Sequence, residues 1–152
     1  MKEAKSVNAI LNIAIEREDE SYAFYSDVAK QVHDKAVKDA FQQLAKDELG
    51  HKEFIKKCLK DPDLLKNIPT TQDYKLAEAT DAQTLSVSMK PKDAIALAMK
   101  KEQGAAEFYS KLAAAAVDPK YRQTFLGLAK MEVGHKARLE SIFVDIGYPE
   151  VW

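Results

Sequence analysis

Acids and histidines stand at the centre of apolar helical stripes in this sequence, and they do so in two copies. The segment Ile10–Leu59 repeats without a gap 84 residues later. The register pairs Glu18 with Glu102, Glu48 with Glu132 and His51 with His135. Around the second and third of these the paired stretches read LAKDELGHK and LAKMEVGHK; around the first they read EREDESYAFYS and KKEQGAAEFYS. A fold for this chain has to bury two related units, each with a Glu and then a Glu-x-x-His on its inner face.

Helical periodicity places these residues. One stripe runs Leu11, Ala14, Ile15, Tyr22, Tyr25, Ala29, Val32, with Glu18 in its middle. The second is Val37, Phe41, Leu44, Ile55, Cys58, with Glu48 and His51 in the gap. The third is Ile95, Ala98, Met99, Ala106, Tyr109, Leu112 around Glu102; the fourth is Tyr121, Phe125, Leu128, Leu139, Ile142 around Glu132 and His135. Spacings of three, four and seven put each set on one face of a helix. An ionised carboxylate buried without a partner costs several kcal/mol or more. Four in one core would need compensation. Two divalent cations would neutralise them, with neutral imidazoles completing the shell. The blander alternative, six polar residues paired with one another or exposed, has to explain their placement by two repeats.

Height along the bundle gives a second test. The first hairpin is expected to turn near His33-Asp34, and Glu18 and Glu48 each lie 15 residues from His33. The second is expected to turn near Val117-Asp118-Pro119, and Glu102 and Glu132 each lie 15 residues from Val117. At about 1.5 Å per residue all four carboxylates then meet roughly 22 Å from a turn, near mid-height. Glu and His at i, i+3 share a face, so each Glu-x-x-His presents two ligands together.

Composition narrows the rest. A chain of 152 residues suits a single domain over 1–152 with a sizeable core. A net charge of −1 points away from nucleic acid and membrane surfaces. Cys58 is the only cysteine, which excludes an internal disulfide and a four-thiolate metal site. No signal peptide or transmembrane run is evident, so the cytoplasm is the expected compartment. The expected fold is all-α, with four long helices over about 5–32, 35–60, 91–117 and 119–146. Residues 61–90 form the connector: Asp61-Pro62 stops the second helix, Ile68-Pro69-Thr70-Thr71 is turn-like, Lys75 to Thr80 suits a short helical piece, and Pro91 fits a first helical turn. So long a connector can run the bundle's full length, giving two antiparallel hairpins joined by a crossover. The tail 147–152 is short and aromatic, and is expected to pack on the bundle or across a dimer.

The paired Glu18 and Glu102, the paired ELGH (48–51) and EVGH (132–135), the repeated Phe-Tyr at 24–25 and 108–109 and the long connector together resemble the rubrerythrin branch of the ferritin-like superfamily, over essentially the whole chain. The resemblance implies a ferritin-like four-helix bundle with a carboxylate-bridged pair of iron ions. It implies that Glu48 and Glu132 bridge the metals, that Glu18 and Glu102 are terminal carboxylates, and that His51 and His135 serve one metal each. Tyr25 and Tyr109, seven residues after their helices' acids, would be hydrogen-bond donors near the centre. Manganese suits the same ligands, and zinc could occupy them in a purified sample. Full-length rubrerythrins also carry a four-Cys rubredoxin-like domain that this sequence lacks, so an external rubredoxin or flavoprotein would have to supply electrons. The extra Glu of peroxidase-type rubrerythrins is replaced by Ala105. Leu49 stands where bacterioferritin has a haem-ligating Met, so no haem is expected.

Other residues carry milder expectations. His33 reads as a solvated turn residue, and Glu16 and Glu20, unmatched in the repeat, as solvated-face residues. Gly50 and Gly134 suggest close helix approach or room beside metals. Cys58 reads as a small core hydrophobe. Three functions are compatible: a di-iron oxidoreductase reducing hydrogen peroxide or dioxygen, a ferroxidase that stores iron, and a non-catalytic metal-binding protein. The first is favoured by the resemblance. A small homodimer is expected from apolar residues such as Phe54, Phe143, Tyr148 and Trp152 at the ends or outer faces, and from the lack of room for a fifth helix after residue 146.

Overall fold

The computed structural model describes residues 7–68, 70–71, 73, 75–79, 88 and 90–147. Helix α1 spans Val7–Gln31, α2 Lys35–Lys60, α3 Leu76–Ala79, α4 Pro91–Ala115 and α5 Pro119–Gly147, with a 3-10 segment at Pro62–Asn67. No strand occurs among the described residues. The long helices pair as α1 with α2 and α4 with α5. The boundaries fall where local chemistry puts them. Asp34 caps α2 by accepting a hydrogen bond from the Val37 amide at 3.1 Å. Asp118 accepts from the Lys120 amide at 2.8 Å as α5 begins at Pro119. Pro91 opens α4, as expected. Pro69, Thr80, the first residues of the expected first helix and most of the aromatic tail lie outside the described residues.

Two apolar clusters fill the bundle, one toward each end. One contains Ile10, Leu11, Ile55, Cys58, Leu65, Tyr109 and Leu128. The other contains Tyr25, Val32, Val37, Phe41, Ala77, Ala94 and Leu139. Helix α1 therefore runs from the first cluster to the second, and α2 returns. Helix α4 starts again at the second cluster and α5 returns to it. The connector contributes Leu65 to one cluster and Ala77 to the other, so it traverses the bundle's length as a crossover.

Two contacts hold that crossover on α5. Gly127 meets Leu65 so closely that an added Cβ would lie 3.0 Å from the Leu65 Cβ. Further along, Lys136 is buried and its ammonium reaches Asp73 at 2.6 Å, Glu78 at 2.7 Å and Glu140 at 3.5 Å. Glu140 is fully buried and accepts a hydrogen bond from the Ala77 amide at 2.9 Å, at the start of α3. Burial opposes the charge on Lys136, but the carboxylates outweigh it and hold the ammonium above its usual range.

Several sequence expectations are corrected. Tyr22 is not part of the buried stripe but 37% exposed, because it sits at the stripe's edge facing outward. Gly50 has no neighbour within 4 Å of an added Cβ, and Gly134 has only Thr71 Oγ1 at 3.6 Å, so neither marks close helix approach. Phe54 and Phe143 lie partly buried against the clusters toward the two ends of the bundle. Cys58 is a buried core residue and His33 is exposed, as expected.

Removing the Lys136 charge should loosen the crossover. Lys136→Ala leaves Glu140 buried without its cation, a loss of roughly 2–4 kcal/mol given that Asp73 and Glu78 keep solvent contact. Denaturant unfolding is the measurement. The exposed pair Lys35–Asp39 is the control, where Lys35→Ala should cost at most about 0.5 kcal/mol.

Candidate metal centre

Between the two apolar clusters the bundle core turns acidic. Glu18 on α1, Glu48 on α2, Glu102 on α4 and Glu132 on α5 are each only 4–6% exposed. His51 and His135 stand one helical turn beyond the glutamates of α2 and α5. All six sequence-derived candidates come together at mid-bundle. They form two groups, Glu18-Glu48-His51 and Glu102-Glu132-His135, with ligand atoms in each within 4.8 Å of one another. The repeat thus becomes two matching half-sites, one from each hairpin.

The geometry leaves donor atoms unused. His51 Nδ1 lies 3.3 Å from Glu48 and 3.7 Å from Glu18. His135 Nδ1 lies 3.7 Å from Glu132 and 3.9 Å from Glu102. Neither nitrogen makes a hydrogen bond, and neither does the buried Oε2 of Glu18. Buried polar atoms are nearly always satisfied, so orphans converging from both half-sites fit the donor set of two divalent cations. The two imidazoles stack with centroids 3.3 Å apart and planes 8° from parallel.

Electrostatics show the strain of the bare cluster. Burial pushes the Glu18 carboxyl up to about 8, with the Glu48 charge adding to it. Burial, then the Glu102 charge, holds Glu132 well above the carboxylate range. Burial also raises Glu102. Burial would raise Glu48 as well, but His51 and Glu18 beside it hold it below its usual value. For His51 burial is outweighed by Glu18 and Glu48, and the imidazole rises to about 9. His135 falls to about 2 through burial and the charge of His51 stacked upon it. The centre thus keeps protons that metal ions would displace.

Two openings reach the centre. Between α1 and α4 a polar cavity of about 120 Å³ exposes all four carboxylates and is bordered by Arg17, Glu20, Ser21, Lys101 and Tyr109. Ala105 also lines it. Glu16 is exposed as expected; Glu20, read from sequence as merely solvated, borders this cavity. Between α2 and α5 an apolar cleft of about 220 Å³, lined by Leu44, Ile95, Leu139 and Ile142, leads to His51 and His135. The Asp47–Arg138 ion pair, at 3.0 Å, joins the same two helices.

The two tyrosines differ. Tyr25 is fully buried, its hydroxyl has no partner, and burial with the charges of all four carboxylates raises its pKa well above the usual value. Tyr109 is buried beside Arg17, whose guanidinium lies 5.8 Å from its ring centroid. Sequence reading missed Arg17, Lys101, Lys136 and Glu140. For the first two a signal existed, since they are repeat partners immediately before Glu18 and Glu102.

These shifts fix a pH dependence for the metal-free protein. Glu18 and His51 bind protons more tightly folded than unfolded, so their contribution is full at low pH and is lost as pH rises toward about 8 and about 9. His135 works oppositely, but only below its ordinary value of 6.5. Between pH 6.5 and 9 the apo protein should therefore lose stability, seen as a falling urea midpoint, while the metal-loaded protein should not. A rising apo midpoint over that window would contradict this electrostatic picture.

No described helix is long and apolar enough to cross a membrane. A hypothetical protein from Pyrococcus furiosus has a similar solved structure, with 24% identity, 97% of this chain and 94% of that chain covered, and a TM-score of 0.52; it bears on the fold alone. Comparison with curated proteins gave no match. Residues 4–143 match the family model of rubrerythrin, and with its all-α bundle and paired carboxylate–histidine groups the chain belongs to the rubrerythrin family.

Proposed function

We propose that this protein is a di-iron oxidoreductase that reduces hydrogen peroxide, and dioxygen more slowly, with electrons from a separate rubredoxin or flavoprotein. The observation that carries the reading is the pair of matched half-sites, whose four carboxylates line a small polar cavity and whose orphaned imidazole nitrogens lie beside them. Glu18, Glu48, Glu102 and Glu132 would hold two iron ions through their carboxylates, and His51 and His135 through their imidazoles. Bound iron would supply two electrons, one per ion, to a peroxide that takes up two protons and leaves as two waters.

The protein's own part is positioning and protons. The carboxylates gather in the core between the two hairpins and would hold both ions there. The cavity restricts entry to small molecules. The Tyr25 hydroxyl stays protonated under the combined field of the four acids and supplies a buried donor beside them. Arg17 fixes Tyr109 at the rim. Iron storage and simple metal holding would use the same centre, and kinetics with particle size separates them.

Anaerobic mixing of the diferrous protein with peroxide and with dioxygen, paired with light scattering, is the test. A small homodimer oxidised faster by peroxide is expected. A large closed shell taking up many irons per chain would overturn the reading in favour of storage. Inertness toward both oxidants would favour metal holding. Tyr25→Phe should retain its metal and slow the peroxide step about tenfold to a hundredfold.

A further inference from the structure

The α1/α4 opening carries two cations that metal ligation does not use. Arg17 and Lys101 both line the polar cavity. Each immediately precedes a core carboxylate, and they are partners in the repeat. Each is stacked on an aromatic ring of the opposite hairpin: the Arg17 guanidinium lies 4.1 Å from the Phe108 centroid, and the Lys101 ammonium 4.4 Å from that of Phe24. Phe24 and Phe108 are repeat partners as well. Stacking of this kind fixes a cation in place while keeping its charge. The bundle thus sets one positive charge on each side of a single small mouth.

Charge then decides what the mouth attracts. The four inner carboxylates and Glu20 face Arg17 and Lys101, so the cavity is formally three negative when all are ionised. Two divalent ions would bring it to one positive. Without Arg17 and Lys101 the loaded cavity would remain one negative. The two cations therefore set the sign of the loaded site. In the empty site they oppose the approach of metal that the carboxylates favour.

We propose that Arg17 and Lys101 determine the ligand specificity of the α1/α4 opening, making it an entrance for a small monovalent anion, or for a peroxide that becomes one on losing its proton, once metal is bound. The proposal rests on the metal reading of the centre but not on the identity of the oxidant. Local fields of this kind change binding and association rates by about tenfold or more, and salt weakens them.

Azide binding to protein loaded with two equivalents of Co2+, followed by visible absorption, tests this. Arg17→Gln/Lys101→Gln should bind azide about tenfold more weakly than wild type and lose most of its salt dependence. Arg17→Lys/Lys101→Arg, which keeps both charges, and Lys35→Gln, at an exposed lysine that opens α2 far from the centre, should each stay within about twofold. Stopped-flow Co2+ uptake by the apo protein should be faster in the neutral variant than in wild type. If the neutral pair does not fold, each single Gln variant should show about threefold weaker azide binding. Equal azide affinity in wild type and neutral variant, an equal loss in the charge-keeping variant, or slower Co2+ uptake in the neutral variant would overturn the proposal. Wild-type protein that takes up no Co2+ would overturn the metal reading and this proposal with it. Uptake with charge-independent azide binding would overturn this proposal alone.

Discussion

Four carboxylates at the middle of one helical bundle repel one another and lose their hydration, and the rest of the structure is arranged around that tension. Glu18, Glu48, Glu102 and Glu132 are buried as deeply as the leucines and alanines above and below them. The apolar clusters at either end supply the packing that holds them there. Without cations the cluster relieves itself by keeping protons on Glu18 and Glu132 and by raising His51 at the expense of His135. With cations, the same atoms would serve as ligands. Binding to the native state alone would then add to stability by mass action.

The repeat places the six residues with near two-fold symmetry, while the surroundings of the two half-sites differ. Lys52 pairs with the half-exposed Asp19 at 2.7 Å, whereas its repeat partner Lys136 is buried in a cluster that gathers the connector. The difference follows from topology. Asp73, Glu78 and the Ala77 amide of the crossover come to α5 at Lys136 and the fully buried Glu140. Arg17 and Lys101, by contrast, keep the symmetry, each stacking across the hairpin interface onto the other's Phe.

The centre was legible because its signal is local and doubled. Periodicity puts Glu18 and Glu102 on inner stripes, the Glu-x-x-His spacing joins two candidate ligands, and equal distances from the turns set their height. The helix hairpins follow from Asp34, Asp61-Pro62, Pro91 and Pro119. What stayed hidden depends on partners distant in sequence. Nothing near Glu140 says that it caps α3 from 63 residues away, or that Lys136 has Asp73 and Glu78 as partners. Gly127 differs from other helical glycines only because Leu65 rests on it. Tyr22 misled because an aromatic at a stripe's edge satisfies the spacing from either side of the boundary.

The central claim is that the six residues act as one ligand set. Elemental analysis after dialysis against ferrous iron, with Glu48→Ala and Glu132→Ala alongside wild type, tests it most directly. The account predicts two ions per wild-type chain and the loss of tight binding of at least one ion in each variant. Two tightly held ions in both variants, or none in the wild type, would contradict it.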